Sequence, residues 1–277
     1  MNNNVAESTI QLLDASELDN VDRVKDLLAQ GADLNAQNEA GVTALMVAAG
    51  YGGEKVAKHL LSLPTIDTEV REEELGWTAL LWAAGQGQLR LVKMLLQHGA
   101  DPGAVSNLGV TALMLAAANG REDVADYLLC LPTIDTEVRD EEGCTALLWA
   151  AGVGQLRLMK MLLQHGADPG AVSNRSVTAL MLAAENGREE VADYLLSLPS
   201  TDMEAKCEDG ATALLWAACR ATYVSSSCCC TAAPTLRQWT TRVTMSSPAP
   251  PWESGTSWLQ RKRSGRLRVS GKSSSTW

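Results

Sequence analysis

The strongest constraint on the fold is a segment that the chain repeats. Residues 76–107 read GWTALLWAAGQGQLRLVKMLLQHGADPGAVSN, and residues 143–174 read GCTALLWAAGVGQLRLMKMLLQHGADPGAVSN. The first third of this segment returns from Gly210 as GATALLWAAC. Between the copies lies a related unit, GVTALMLAAANGREDVADYLLCLPTIDTEV from Gly109, which returns from Ser176 and has a forerunner from Gly41. Self-similarity at a fixed period predicts a stack of small units rather than one closed core.

The units have a nearly constant length. They begin at Gly41, Gly76, Gly109, Gly143, Ser176 and Gly210, at spacings of 35, 33, 34, 33 and 34 residues. Two consecutive units form a pair that is nearly duplicated, which indicates tandem copying of two units at a time.

Within a unit the pattern predicts helix, turn, helix and loop. Thr78 is a good N-cap for the apolar run ALLWAA, and Gly85 and Gly87 end that helix. The next run, LRLVKMLLQ, has apolar residues at helical spacing, and Gly99 ends it as a left-handed C-cap. The polar segment TEVREEELG predicts a projecting hairpin-like turn. Helices this short are not stable alone in water, so each unit must bury its apolar face against its neighbours.

The period, the TALLWAA box in place of TPLHxAA, and GADPGAVSN in place of GADVNAxx resemble ankyrin repeats. The resemblance covers residues 6–220 and implies an all-α solenoid of stacked helix-turn-helix units with projecting β-turn loops, followed by an irregular tail. We divide the chain into a degenerate N-terminal capping repeat (residues 1–40), five full repeats plus the first helix of a sixth (residues 41–220), and a basic tail of low order (residues 221–277).

The boxes depart from the family pattern. Ala79 and Leu81 replace the Pro and His of the family box, and every copy shares this change. That His ties neighbouring ankyrin units together by hydrogen bonds, so we expect Leu81 to stabilise the stack by packing instead. The boxes resemble those of ankyrin-only proteins in diplomonad protists, where repeats occur alone or beside a kinase-like domain. This sequence has no kinase motif.

Charge is divided unequally along the chain. Residues 1–220 hold 32 acidic and 15 basic side chains, whereas residues 221–277 hold one acidic and eight basic. An array this acidic repels nucleic acid and anionic lipid, so we expect neither as a partner. We also expect no secretory leader and no membrane insertion. The cysteines of the array do not recur between copies, which favours a protein with reduced thiols in the cytoplasm or nucleus. Attachment to the cytoskeleton is an alternative that stays open.

The tail after Arg220 has three interpretations. One is a disordered basic tail. A second assigns it chemistry, either a metal site at Cys228, Cys229 and Cys230 or a nucleic-acid arm at Arg261, Lys262 and Arg263. A third, which we favour, is that residues 221–277 are a repeat read in a shifted frame.

The genetic code supports the frameshift. When each codon's last base is read with the first two bases of the next codon, consecutive Cys codons always encode Leu, so Cys228–Cys230 give Leu-Leu. Trp239 followed by Thr240 always gives Asp. The shifted tail can therefore spell GHVRVVKLLLHGGADPxAVDN, in register with GQLRLVKMLLQHGADPGAVSN. The nucleotide sequence across residues 215–260 tests this, because a gene that does not encode Gly-Ala-Asp in the shifted frame contradicts it.

No pattern in the array predicts catalysis or a cofactor. His98 and His165 occupy equivalent positions at the end of a second helix, where a His interacts with terminal carbonyls and the helix dipole. No Ser/His/Asp or Cys/His arrangement has a common location, and the Gly-rich segments lie between short helices rather than after a strand. We therefore predict a chain that is not an enzyme and that binds neither metal nor cofactor.

An apolar ladder recurs at the fifth position of the box. Its members are Val47, Trp82, Leu115, Trp149, Leu182 and Trp216. In ankyrin arrays this position faces the concave groove, so the resemblance implies a binding stripe, which Trp77, Tyr51, Gln86 and Asn119 would extend. The alternative is that neighbouring rungs pack on each other and replace the missing box His.

These observations predict a monomeric, non-enzymatic scaffold or adaptor that binds other proteins, with its acidic surface favouring basic partners. Two alternatives stay open. The chain is the detached regulatory array of a kinase-type signalling protein, or it is a decaying duplicate without function.

Overall fold

The computed structural model describes the backbone of residues 3–222 and the side chains of residues 7–220. In this range the chain forms helices joined by short turns and loops, which confirms the all-α prediction. The helices are α1 (Asn3–Glu17), α2 (Val21–Ala29), α3 (Ala44–Tyr51), α4 (Glu54–Leu61), α5 (Ala79–Gln86), α6 (Leu89–Gln97), α7 (Ala112–Ala118), α8 (Glu122–Leu129), α9 (Ala146–Val153), α10 (Leu156–Gln164), α11 (Ala179–Asn186), α12 (Glu189–Leu196) and α13 (Ala213–Thr222). The predictions for residues 223–277 lie outside the described residues.

Each first helix of a unit begins directly after the box threonine. The Thr78 hydroxyl accepts a hydrogen bond of 3.4 Å from the backbone N–H of Leu81, and Thr43, Thr111 and Thr178 cap their helices in the same way. The helix ends at Gly87, whose φ of 79° lies in the left-handed region. The threonine cap and the stop at Gly87 are therefore confirmed, whereas Gly85 lies inside α5 and does not end it.

The helices form two rows. The inner row consists of α1, α3, α5, α7, α9, α11 and α13, and each of these contacts the next. The outer row runs from α2 through α4, α6, α8 and α10 to α12, and each outer helix also contacts the inner helix of its own unit. The core lies between the rows, where Leu81 and Leu148 are completely buried. These leucines stand where ankyrin boxes have His, and their burial is what a packing role requires.

The loops that precede the inner helices form short fingers, and backbone hydrogen bonds join each finger to the next. Isolated antiparallel bridges pair Val105 with Thr111 and Val172 with Thr178, and no longer strand forms within residues 3–222. A backbone N–H of each finger donates to a carbonyl of the preceding finger at 2.8–3.0 Å. The donor and acceptor residues are Glu73 and Ala40, Asn107 and Leu75, Glu141 and Leu108, Asn174 and Glu142, and Glu208 and Arg175. The fingers therefore extend along the array together with the inner row.

The first unit is joined to the second through a carboxylate. Asp19 adopts a φ of 51° at the turn between α1 and α2. Its Oδ1 accepts hydrogen bonds from the backbone N–H groups of Lys55 and Val56, at 3.0 and 2.9 Å. These donors lie in the first turn of α4, where a negative charge is favourable. The division of the chain at residue 40 stays a prediction.

Candidate functional site

The apolar ladder runs along the inner row but is not uniformly exposed. Leu115, Trp149 and Leu182 are at most 3% exposed, and so is Trp77. These four residues pack inside the array and offer no contact area to a partner, so their burial favours the packing interpretation at these positions. The other predicted residues are half-buried, namely Val47, Tyr51, Trp82, Gln86, Asn119 and Trp216.

The half-buried residues of α3, α5 and α7 lie close together. Val47 and Tyr51 are four residues apart on α3, as are Trp82 and Gln86 on α5, so each pair shares a helix face. Asn119 follows α7 and its Nδ2 donates to the Leu115 carbonyl at 3.0 Å. We name Val47, Tyr51, Trp82, Gln86 and Asn119 the Trp82 face.

Trp82 is fixed by two neighbours. A Cβ atom added to Gly50 would lie 3.4 Å from Cε3 of Trp82, so the indole lies against the bare backbone of α3. The rings of Trp77 and Trp82 meet edge to face, with centroids 5.1 Å apart and planes at 70°. Trp82 is therefore a partly exposed aromatic side chain that is held in one orientation.

Trp149 occupies the equivalent position two units later, yet it is buried. Its Nε1 donates a hydrogen bond of 2.8 Å to Oδ2 of Asp140, and Oδ1 of Asp140 accepts from the backbone N–H groups of Glu142 and Cys144. Burial raises the pKa of Asp140 above its usual range, although these hydrogen bonds act in the opposite direction. The hydrogen bond to this carboxylate joins the Trp149 side chain to the finger.

The finger before Trp82 differs by one inserted residue. Its sequence is REEELGWTAL, against RDEEGCTAL before Trp149, and Trp77 replaces Cys144. Glu72 stands in the place of Asp140, but its carboxylate accepts from the backbone N–H groups of Glu74, Leu75 and Trp77. The Nε1 atom of Trp82 is buried and has no hydrogen-bond partner among the described residues. The carboxylate of one finger therefore accepts from its tryptophan, whereas the carboxylate of the other accepts from backbone N–H groups alone.

Exposed carboxylates border the inner row. They lie on the fingers, which lead directly into the inner helices, and they include Glu39, Glu73, Glu74, Glu141, Glu208 and Asp209. Arg175 offsets part of this charge, since its Nη2 lies 3.0 Å from Oδ2 of Asp209. The finger before α5, which carries Trp82, keeps the exposed carboxylates of Glu73 and Glu74.

Family models identify the fold. A model described as ankyrin repeats in three copies matches residues 12–106 and 100–173, and a single ankyrin-repeat model matches residues 177–207. The chain belongs to the ankyrin-repeat family. Ankyrin repeats generally mediate protein–protein interaction, so this family membership directs attention to the surface of the array.

Known ankyrin proteins of several kinds are similar to this chain. The Escherichia coli ankyrin repeat protein YahD is 28% identical over 188 residues, which cover 66% of this chain and 92% of YahD. The ankyrin repeat and KH domain-containing protein mask-1 of Caenorhabditis elegans is 35% identical over 38% of this chain, and the match spans 4% of mask-1. The B-cell lymphoma 3 protein homolog of Mus musculus is 35% identical over 44% of this chain, which is 28% of that protein. This ankyrin chain thus spans most of YahD and a small part of the longer relatives.

Within residues 3–222, no three His, Cys, Asp or Glu side chains form a group that could hold a metal ion. No helix in that part of the chain is both long and apolar enough to cross a bilayer. His98 and His165 are exposed, and Nδ1 of His165 lies 3.0 Å from the Met161 carbonyl oxygen, as expected for a helix end. The cysteine cluster at 228–230 and the basic arm at 261–263 lie outside the described residues.

The sequence did not reveal the residues that organise the fingers. Glu72 and Asp140 are buried acidic residues inside polar loops, and their composition is typical of a solvent-facing turn. Their signal is positional, because an acidic residue follows Arg at the same point of both fingers, at Arg71 and Arg139.

Proposed function

We propose that this ankyrin array is a non-enzymatic scaffold or adaptor that binds partner proteins on the Trp82 face. The observation that carries the proposal is that Trp82 is half-buried and fixed against Gly50 and Trp77. Tryptophan is among the side chains that most often dominate the energy of protein interfaces.

The fixed orientation of Trp82 favours binding. Ordering a mobile side chain at an interface costs about 0.5–1.5 kcal/mol, and a side chain already held by its neighbours avoids most of that cost. Val47 and Tyr51 lie on the preceding inner helix, Gln86 lies one turn after Trp82, and Asn119 follows the next inner helix, so the Trp82 face combines apolar area with hydrogen-bonding groups. A central aromatic anchor within a polar border is the usual anatomy of an interface.

Charge supports a basic partner. The carboxylates of Glu73 and Glu74 are exposed on the finger that leads into α5, and residues 1–220 carry a large excess of acidic side chains. Such a surface attracts a positively charged protein over distances up to about 10 Å at moderate salt. We therefore propose that the partner has a basic surface, and that added salt slows its association with the array.

We further propose that the scaffold is a monomer and works in a reducing compartment such as the cytoplasm. Cys144 and Cys207 are buried thiols that form no disulfide with another described residue. Free buried thiols are typical of reducing compartments.

The role of Trp82 is tested by comparing it with its buried equivalent. Trp82→Leu and Trp149→Leu make the same change in the same ALLWAA sequence, and both variants are used to capture cross-linked proteins from an extract of the source cells. Urea unfolding first establishes the temperatures at which both variants are folded. At those temperatures we expect Trp82→Leu to lose the partners of the wild type and Trp149→Leu to keep them. Retention of every partner by folded Trp82→Leu, or equal loss by both variants, contradicts the proposal.

A further inference from the structure

The last described helix exposes side chains that its copies bury. Leu214 and Leu215 of α13 are 78% and 52% exposed, whereas Leu80, Leu81 and their counterparts in α9 are at most 1% exposed. The local sequence is ALLWAA in all three helices, so the difference arises from what covers each helix. In water, two exposed leucines on one short helix form an unfavourable apolar surface.

The earlier copies show what is missing. α5 contacts α6, the outer helix of its own unit, and α9 contacts α10 in the same way. Both also contact the inner helix of the next unit. Among the described residues, α13 packs against α11, and no outer helix of its own unit follows it.

The outer row shows the same gap. Leu196 at the end of α12 is 48% exposed, whereas its copy Leu129 at the end of α8 is 8% exposed. α8 is followed by α10, which contacts it, and no described outer helix follows α12. One outer helix placed after α13 would contact both α12 and α13.

The repeat itself defines the chemistry of that helix. After each earlier ALLWAA helix the chain forms an outer helix of sequence LRL(V/M)KMLLQ, whose buried face is Leu91, Val92 and Leu95 in α6 and Leu158, Met159 and Leu162 in α10. The amino-acid sequence after Arg220, ATYVSSSCCCTAAPTLRQW, lacks the apolar spacing of the outer helices and contains Pro234. The shifted reading of Cys228–Cys230 encodes Leu-Leu in the register of Leu95 and Leu96.

We propose that the exposed face formed by Leu196, Leu214 and Leu215 is the seat of an ankyrin outer helix of the LRLVKMLLQ type, which the shifted reading frame after Arg220 encodes. Within the described residues this face has no outer helix against it. This face lies on α12 and α13 and shares no residue with the Trp82 face.

A graft tests the proposal. In the graft, residues 85–107 of this chain directly follow Ala218, because Ala218 is the counterpart of Ala84. The graft is compared with the full-length chain. The matched control carries Leu91→Lys and Leu95→Lys in the grafted copy, which removes the apolar face and keeps the length. Urea unfolding and amide hydrogen exchange of residues 213–218 are measured for all three.

The expected result is a higher urea midpoint for the graft and amide exchange in residues 213–218 slowed by at least about tenfold relative to the control graft, because the two leucines become buried. Equal exchange in the graft and its control overturns the proposal. A dimer of the full-length chain that Leu214→Lys converts to monomer also overturns it, since the occupant would then be a second copy. Sequencing the gene across residues 215–260 gives an independent result, because absence of Gly-Ala-Asp in the shifted frame contradicts the assigned source of the helix.

Discussion

The indole N–H of Trp149 donates a hydrogen bond of 2.8 Å to Oδ2 of the buried Asp140. Trp82, the copy of Trp149 in an earlier unit, has a buried indole N–H with no hydrogen-bond partner in the described part of the chain. The same tryptophan of the repeat is thus buried and hydrogen-bonded to a finger in one unit, and is partly exposed at the surface in another.

Because of this difference, we expect the stability of the protein to depend more on the indole N–H of Trp149 than on that of Trp82. Trp149→Phe leaves a buried carboxylate without one of its donors, so we expect it to lower the free energy of unfolding by about 1–3 kcal/mol more than Trp82→Phe does. Trp82→Phe removes an unpaired donor together with some apolar area. Urea unfolding of the two variants measures the difference, and equal losses would show that the Asp140 bond contributes nothing to stability.

The raised pKa of Asp140 predicts a pH dependence. Burial is its main cause, so the folded protein holds the Asp140 proton more tightly than the unfolded chain does. The stability that this proton contributes is present at low pH and is lost as the pH rises through the raised pKa. The free energy of unfolding of the wild type minus that of Asp140→Asn should therefore fall from acidic to neutral pH. The raised pKa values of Asp14 and Glu17 are common to both proteins and cancel in this difference. A constant or rising difference contradicts the assignment.

Ser176 predicts a stabilising substitution. It adopts a φ of 57° at the unit start, where the other units have Gly with φ of 69–76°. The left-handed region is unfavourable for residues with a Cβ atom, so Ser176→Gly should raise the free energy of unfolding by about 0.5–1 kcal/mol. Gly210→Ser is the reverse control, because a Cβ atom there meets nothing within 4 Å and the change tests backbone conformation alone. We expect Gly210→Ser to destabilise by a similar amount. The same sign for both changes in thermal unfolding would be inconsistent with this explanation.

The thiols should differ in reactivity. Cys130 is exposed, whereas Cys144 is buried, and burial together with the carboxylates of Asp140 and Glu142 raises the pKa of the Cys144 thiol far above its usual range. The thiolate is the reactive form, so iodoacetamide at neutral pH should modify Cys144 at least about 100-fold more slowly than Cys130. Mass spectrometry of the tryptic peptides measures both rates in one sample. Comparable rates would mean that the finger around Cys144 opens readily.

The helices could be predicted from the sequence because their signals are local. Thr78, the run ALLWAA and Gly87 set one helix by capping, apolar spacing and a left-handed stop, and the repeats confirm each other. The exposure of the ladder could not be predicted in this way. Trp82 and Trp149 lie in the same run ALLWAAG, yet four residues later α5 has Gln86 and α9 has Val153, and their fingers differ by the inserted Leu75 and by Trp77 in place of Cys144. The bond that buries Trp149 joins residues of a loop and a helix, and an acidic residue in a polar loop gives no sign that it will be enclosed.

The helices that a bound partner protects show whether the Trp82 face is its binding site. Amide hydrogen exchange of the array is measured alone and in complex with a captured partner, and the change is mapped along the chain. We predict that the partner slows exchange most in α3 and α5, which carry Val47, Tyr51, Trp82 and Gln86, and least in the outer helices α4 and α6. Protection concentrated in α4 and α6, with α3 and α5 unchanged, would contradict binding at the Trp82 face.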